Sequence, residues 1–210
     1  MSSKPKNIVI LVSGGGTNLQ AIIDNVESGY IPANISLVVS SRKDAYALER
    51  ATKHNIDNVV FSPKNYSNPE EYSRKLIDLL DKYNPDLIVL AGFMTVLSDG
   101  FIEKYENKIM NTHPSLLPSF GGKGFYGHHV HKAVLNYGVK VSGATIMFVT
   151  EEIDAGPIIL QESVKVYDTD TIDSLQKRVL KVEHKLYPKA IKLFVEDKLI
   201  IDGRIVRVRE

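Results

Sequence analysis

The sequence predicts an α/β protein: a doubly wound, mostly parallel sheet with helices on both faces, and antiparallel strands added in the C-terminal half. Three observations carry this expectation. Short apolar runs alternate with helix-like stretches through the first half of the chain. Those runs lack polar alternation, as strands buried on both faces do. A glycine cluster follows the first run and precedes a helical pattern.

The elements follow in order. Residues 8–12 are a β-branched run, and Leu19, Ile22, Ile23 and Val26 then recur at helical spacing. Residues 35–39 read as a second strand, 43–54 as a helix, and 58–61 as a third strand. Residues 69–83 read as a helix with Tyr72, Leu76, Leu79 and Leu80 on one face. Residues 86–91 (DLIVLA) are a fourth strand. After Ile109 the pattern changes. A short strand ends in Asn111-Thr112-His113-Pro114, and a Gly-, Ser- and Pro-rich loop runs to Gly127. Residues 130–137 read as a helix. Residues 141–149 and 157–166 are two strands joined by 150–156. A long helix begins near Asp170 or Thr171 with its apolar stripe on Ile172, Leu175, Val179, Val182 and Leu186, and Pro188 should kink or restart it. Residues 200–208 read as a hairpin around Asp202-Gly203. One domain is expected, with a phosphate-binding half at about 1–105 and a catalytic half at about 106–210.

Composition excludes several classes. The chain has 210 residues, 43% apolar and 24% charged, with 26 basic against 25 acidic side chains. A charge of +1 offers no broad basic footprint for duplex nucleic acid. There is no cysteine, so disulfides, thiolate nucleophiles and Cys-ligated zinc are out. No apolar run approaches the ~20 residues of a membrane span. The expectation is a cytoplasmic protein without membrane or nucleic-acid partner, and monomer and homodimer are both left open.

Gly14, Gly15 and Gly16 let the chain turn tightly and bare the amides that open a helix, an anion site. A dinucleotide fingerprint would need glycine where Leu19 stands and an acid where Ser40-Ser41-Arg42 stand. A P-loop would need a Gly-Lys-Ser/Thr ending, and no lysine is present. A small phosphate site with Thr17 and Asn18 as donors remains, against a plain tight turn with no ligand.

Asn111 and His113 lie two residues apart at the carboxyl end of a strand, where open α/β sheets bind ligands. An amide donor and a titratable donor on one side could hold a tetrahedral oxyanion. Asp154 lies in the loop EEIDAGP. A carboxylate that reached His113 would orient it and favour its cation. The residue types alone fit turns and surface hydrogen bonds equally well.

The strings SGGGTNLQ, DLIVLAGFMTVLS, NTHPSLLPSF and EEIDAGPIILQ, in this order and spacing, resemble the glycinamide ribonucleotide branch of the folate-dependent formyltransferases. The likeness runs from Asn7 to about Leu199. It implies transfer of a formyl group from 10-formyltetrahydrofolate, as co-substrate and without a metal, to the amine of 5-phosphoribosylglycinamide in purine biosynthesis. It implies that Asn111, His113 and Asp154 are catalytic. Gly16, Thr17 and Asn18 would bind the ribonucleotide phosphate, and Glu183 its ribose hydroxyls. Met94, Thr95, Val96 and Leu97, with Asn111, Ile153 and Asp154, would line the folate pocket. Two departures stand out: Met147 occupies a position where relatives usually carry a histidine, and Pro69 and Thr95 replace arginines found in some members.

Two rival readings share these features. A formyltetrahydrofolate deformylase would use water as acceptor, but such relatives carry an N-terminal regulatory domain, and here the first strand starts by Asn7. A non-catalytic nucleotide-sensing module would need only the fold. His128, His129 and His131 invite a zinc reading, but no carboxylate or cysteine accompanies them at ligand spacing, so solvated or substrate-adjacent histidines are expected. Residues 121–124 (GGKG) fit a lid hinge or a plain surface loop equally well.

Overall fold

A computed structural model describes residues 4–209. The chain forms two compact units that divide between Met110 and Asn111.

The first unit is a parallel sheet wound both ways from its first strand. β1 (Lys6–Val12) leads through α1 (Thr17–Glu27) to β2 (Ala33–Ser40), then through α2 (Tyr46–Lys53) to β3 (Asn58–Val60). The chain returns through α3 (Pro69–Leu80) to β4 (Leu87–Ala91), which pairs with the free side of β1. The order β3-β2-β1-β4 is parallel throughout. Ile8 to Val12 are wholly buried, and so are Leu87, Ile88 and Val89. Each such side chain contributes roughly 1.5–3 kcal/mol by leaving water. The unbroken apolar runs therefore mark strands covered on both faces.

Local chemistry sets the helix ends. Asn68 accepts the Glu71 N–H at 2.8 Å and Pro69 opens α3, whose missing N–H costs nothing there. α3 stops at Leu80 and residues 81–83 tighten into a 3-10 turn. α2 is shorter than expected, because residues 43–45 form the turn before it. A helix that the sequence pattern left out, α4 (Asp99–Lys104), buries Phe101 and Ile102. Its six residues are too few to show a period.

β5 (Ile109–His113) spans the divide. In the second unit, α5 (His128–Tyr137) precedes β6 (Val141–Phe148), which pairs antiparallel with β7 (Ile158–Lys165). β9 (Ile205–Val208) joins β7 in parallel and β8 (Leu199–Asp202) in an antiparallel hairpin. α6 (Ile172–Val195) packs on α5, β6 and β7. A reciprocal cap starts it: Thr171 Oγ1 accepts from the Ser174 N–H and Ser174 Oγ from the Thr171 N–H. Just before it, Asp170 takes two hydrogen bonds from Arg178 at 2.7 and 2.8 Å and one from the Tyr167 N–H. One expectation is corrected here. Pro188 does not restart the helix, since α6 runs unbroken through it. Pro188 is buried with Leu186, Tyr187, Ala190 and Ile191, and this packing outweighs the roughly 3 kcal/mol that an interior proline costs.

Candidate active site

In the first unit, β1 and β4 are the strands between which the winding reverses, the position where open α/β sheets bind ligands. The glycine turn follows β1. Gly16 has φ +71°, and a Cβ there would run into Ala47, so this position requires glycine twice over. The turn is fixed through its carbonyls. Gly14 O accepts from the Ala47 N–H at 3.1 Å, and Gly15 O from Arg50 Nε at 2.9 Å. Arg50 Nη1 also donates to Gln20 Oε1 at 2.9 Å. The α1 N-terminus has no side-chain cap, so its first amides keep the capacity to meet an anion. Thr17 is exposed there and Asn18 is buried.

The segment after β4 is tied to this turn. Ser13 Oγ accepts the Met94 N–H at 2.9 Å and shares a 2.7 Å hydrogen bond with Ser41 Oγ. Met94 and Val96 are exposed, unusual for large apolar side chains, whereas Leu97 is buried. Thr95 is half-buried between them.

In the second unit, His113 closes β5 and is almost wholly buried. Its Nδ1 stands 3.4 Å from Asp154 Oδ2, and its Nε2 stands 2.8 Å from the Phe120 carbonyl oxygen. A carbonyl only accepts, so Nε2 carries a proton. The other nitrogen, Nδ1, faces the Asp154 carboxylate. Asp154 Oδ2 also accepts the Gly122 N–H at 2.9 Å. Asp154 adopts φ +56°, and its side chain is only 10% exposed. A left-handed, nearly buried aspartate is held by its surroundings rather than by its own preference.

Asn111 is half-buried two residues before His113, on the same side of the strand, and makes no hydrogen bond to His113 or Asp154. Ile153 is exposed. Glu183 lies buried on α6 among Val179, Val182 and Leu186.

Residues 6–191 match the formyl transferase family. The chain belongs to that family. It is 41% identical over 193 residues to phosphoribosylglycinamide formyltransferase of Escherichia coli (strain K12), across 92% of this chain and 89% of that one. It is 42% identical over 194 residues to the protein of the same name from Haemophilus influenzae, across 92% and 89%. It superposes with a TM-score of 0.93 on the crystal structure of glycinamide ribonucleotide transformylase 1 from Symbiobacterium toebii, at 42% identity, across 98% and 95%. The mixed α/β architecture is thus a formyl transferase fold, and formyl folate is the co-substrate that the family uses.

Within this formyl transferase chain, several residues at the site were not assigned to it from the sequence. Phe120 and Gly122 reach the His113–Asp154 pair only because residues 114–127 fold back over β5. Gly121 is pressed between Leu117 and Asp154, so the residue 121–124 loop is part of the site's wall. Thr145, wholly buried in β6, grips the segment after His113. Only its place in strand alternation hinted at that. α5 begins at His128, ahead of the expected start, and this places His131 on the buried face. Burial first, then the nearby His128 and His113, pushes the His131 imidazole down to about 4. His131 is therefore an uncharged interior group at neutral pH, not a solvated one. Among the described residues no group of three or more His, Cys, Asp or Glu side chains could hold a metal ion. No helix among them is long and apolar enough to cross a membrane.

Proposed function

We infer that this chain transfers the formyl group of 10-formyltetrahydrofolate to the amine of 5-phosphoribosylglycinamide, giving formylglycinamide ribonucleotide and tetrahydrofolate in the cytoplasm. The observation that carries the reading is the buried His113–Asp154 pair beside Asn111 on β5. The substrate amine attacks the formyl carbon, and the carbonyl oxygen becomes an oxyanion. The C–N10 bond then breaks, and the proton lost by the amine ends on N10. Asn111 donates its side-chain amide to the oxyanion. His113 donates Nε2–H once that proton exchanges the Phe120 carbonyl for the oxyanion. Each preorganised donor is worth on the order of 10²–10³-fold. Asp154 keeps His113 protonated and accepts the amine's proton through water, a step worth ~10²–10⁴-fold.

The ribonucleotide phosphate belongs to the glycine turn. In the first unit Gly16 and the α1 amides, Thr17 and Asn18 supply the phosphate donors; in the second, Glu183 is assigned to the ribose hydroxyls. The folate contacts are assigned within each unit: Met94, Thr95, Val96 and Leu97 in the first, and Asn111, Ile153 and Asp154 in the second. Apolar side chains exposed beside a polar site suit a flat pterin ring.

The test is to incubate the protein with a 10-formyl-folate analogue, with and without the ribonucleotide, and follow folate absorbance. Turnover only with the amine supports the transferase. Turnover without it supports a deformylase, and no turnover a sensing module.

A further inference from the structure

The segment that follows His113 has no regular secondary structure, yet side chains fix its backbone. Thr145 and Gln161 face each other across the β6–β7 ladder. Thr145 Oγ1 donates to the Ser115 carbonyl at 2.7 Å and accepts the Leu117 N–H at 3.0 Å. Gln161 Nε2 donates to Thr145 Oγ1 and to the Leu117 carbonyl, both at 2.9 Å. The hydroxyl's single proton and both its lone pairs are used, and so are both amide protons. Two positions before Thr145, a Cβ on Gly143 would run into the Leu116 side chain and the Glu162 carbonyl. The segment therefore lies flat on the hairpin.

This anchoring reaches His113 through a short path. Ser115 Oγ donates to the Ser119 carbonyl at 2.5 Å, and the Ser119 N–H donates to Leu116 O at 3.0 Å. The next residue, Phe120, has φ +54° and presents its carbonyl to His113 Nε2. Two levels of support result: Asp154 and Phe120 aim the ring, and the clamp places Phe120.

We propose that Thr145 and Gln161 are a positioning pair for His113, holding residues 115–117 so that the ring is aimed at the reacting carbonyl. Neither residue touches the reacting atoms. Thr145 carries the larger share, because it is wholly buried and water cannot replace it. Gln161 is exposed, and only its amide end is engaged, so water can substitute in part. The proposal rests on the assignment of His113 to the oxyanion.

The variants are Thr145→Val, Thr145→Ser, Gln161→Met, the Val/Met double variant, and His113→Ala as control. Thr145→Val should lower kcat by ~10–100-fold with the ribonucleotide KM within about twofold, as loss of aim predicts. Thr145→Ser, which keeps the hydroxyl, should stay within about threefold of wild type. Gln161→Met should lower kcat by about three- to tenfold, and the double variant should lose less than the product of the two. A Thr145→Val kcat per folded molecule within about twofold of wild type overturns the proposal, as does strict multiplicativity in the double variant. If Thr145→Val does not fold, Gln161→Met decides: an unchanged kcat, or a raised KM at constant kcat, overturns it. His113→Ala separates the two levels. Wild-type activity there removes the assignment beneath the proposal. Loss at His113 with none at the pair removes the proposal alone.

Discussion

His113 Nδ1 lies 3.4 Å from Asp154 Oδ2, and that same oxygen receives the Gly122 N–H at 2.9 Å. One carboxylate oxygen thus joins the end of β5 to the loop that closes over it. At 3.4 Å the His–Asp contact is longer than the ~2.7–2.9 Å of a charge-assisted hydrogen bond. The N–H of Gly122 fixes the carboxylate, and the ring turns toward it.

Asp154→Asn should lower kcat by on the order of 10³ or more, with both KM values within a few-fold. The amide keeps the shape but loses the charge that faces His113. Steady-state kinetics checks this. A variant keeping more than about a tenth of wild-type kcat removes the assigned role.

Gly16→Ala should damage stability and ribonucleotide binding together. Its Cβ would meet Ala47 at a backbone angle that alanine adopts reluctantly, a cost of about 1–3 kcal/mol. Tm should fall by roughly 2–10 °C. The ribonucleotide KM should rise while the folate KM holds. Thr17→Ala, at an exposed position, should raise the same KM by the equivalent of about 1–2 kcal/mol and leave Tm unchanged. A rise confined to the folate KM would show that the two pockets are assigned the wrong way round.

Asp170→Asn should cost about 2 kcal/mol, because the two Arg178 hydrogen bonds are charge-assisted and the carboxylate lies beneath the surface. Arg178 above all, then Ser174 and the Tyr167 N–H, hold the Asp170 carboxyl well below the usual carboxylate range. A depressed acid stabilises the fold above its unfolded value of about 3.9, and that stability drains away as pH falls further. The wild-type Tm should therefore drop more steeply than the variant's below about pH 4. Parallel Tm curves would refute this linkage.

Met147 is buried in β6, two residues from Thr145, where the resemblance expects histidine. Met147→His should change kcat by less than about tenfold, roughly 1.4 kcal/mol of barrier, while shifting the pH–rate profile. His113 and the Gly122 N–H already satisfy the Asp154 oxygen that faces the ring. A gain of a hundredfold or more would show a wild-type site short of a partner.

The sequence by itself determined that the sheet is covered on both faces, because strands buried on both faces must be continuously apolar, as residues 8–12 and 87–91 are. It also marked Gly16, whose left-handed turn only glycine makes cheaply, and it placed Asn111 and His113 on one side of a strand end by alternation. Period and backbone preference are local, so they survive in a linear string. The tertiary structure alone decided what reaches across sequence distance. Asp154 meets His113 from 41 positions away, and Gln161 grips Leu117 from 44 away. α4 was invisible because six residues make fewer than two helical turns, and Pro188 stays helical because its neighbours' burial outweighs its local penalty. The ring of His113 is aimed by the Phe120 carbonyl, a backbone atom that every residue carries, so no side-chain pattern could have announced it.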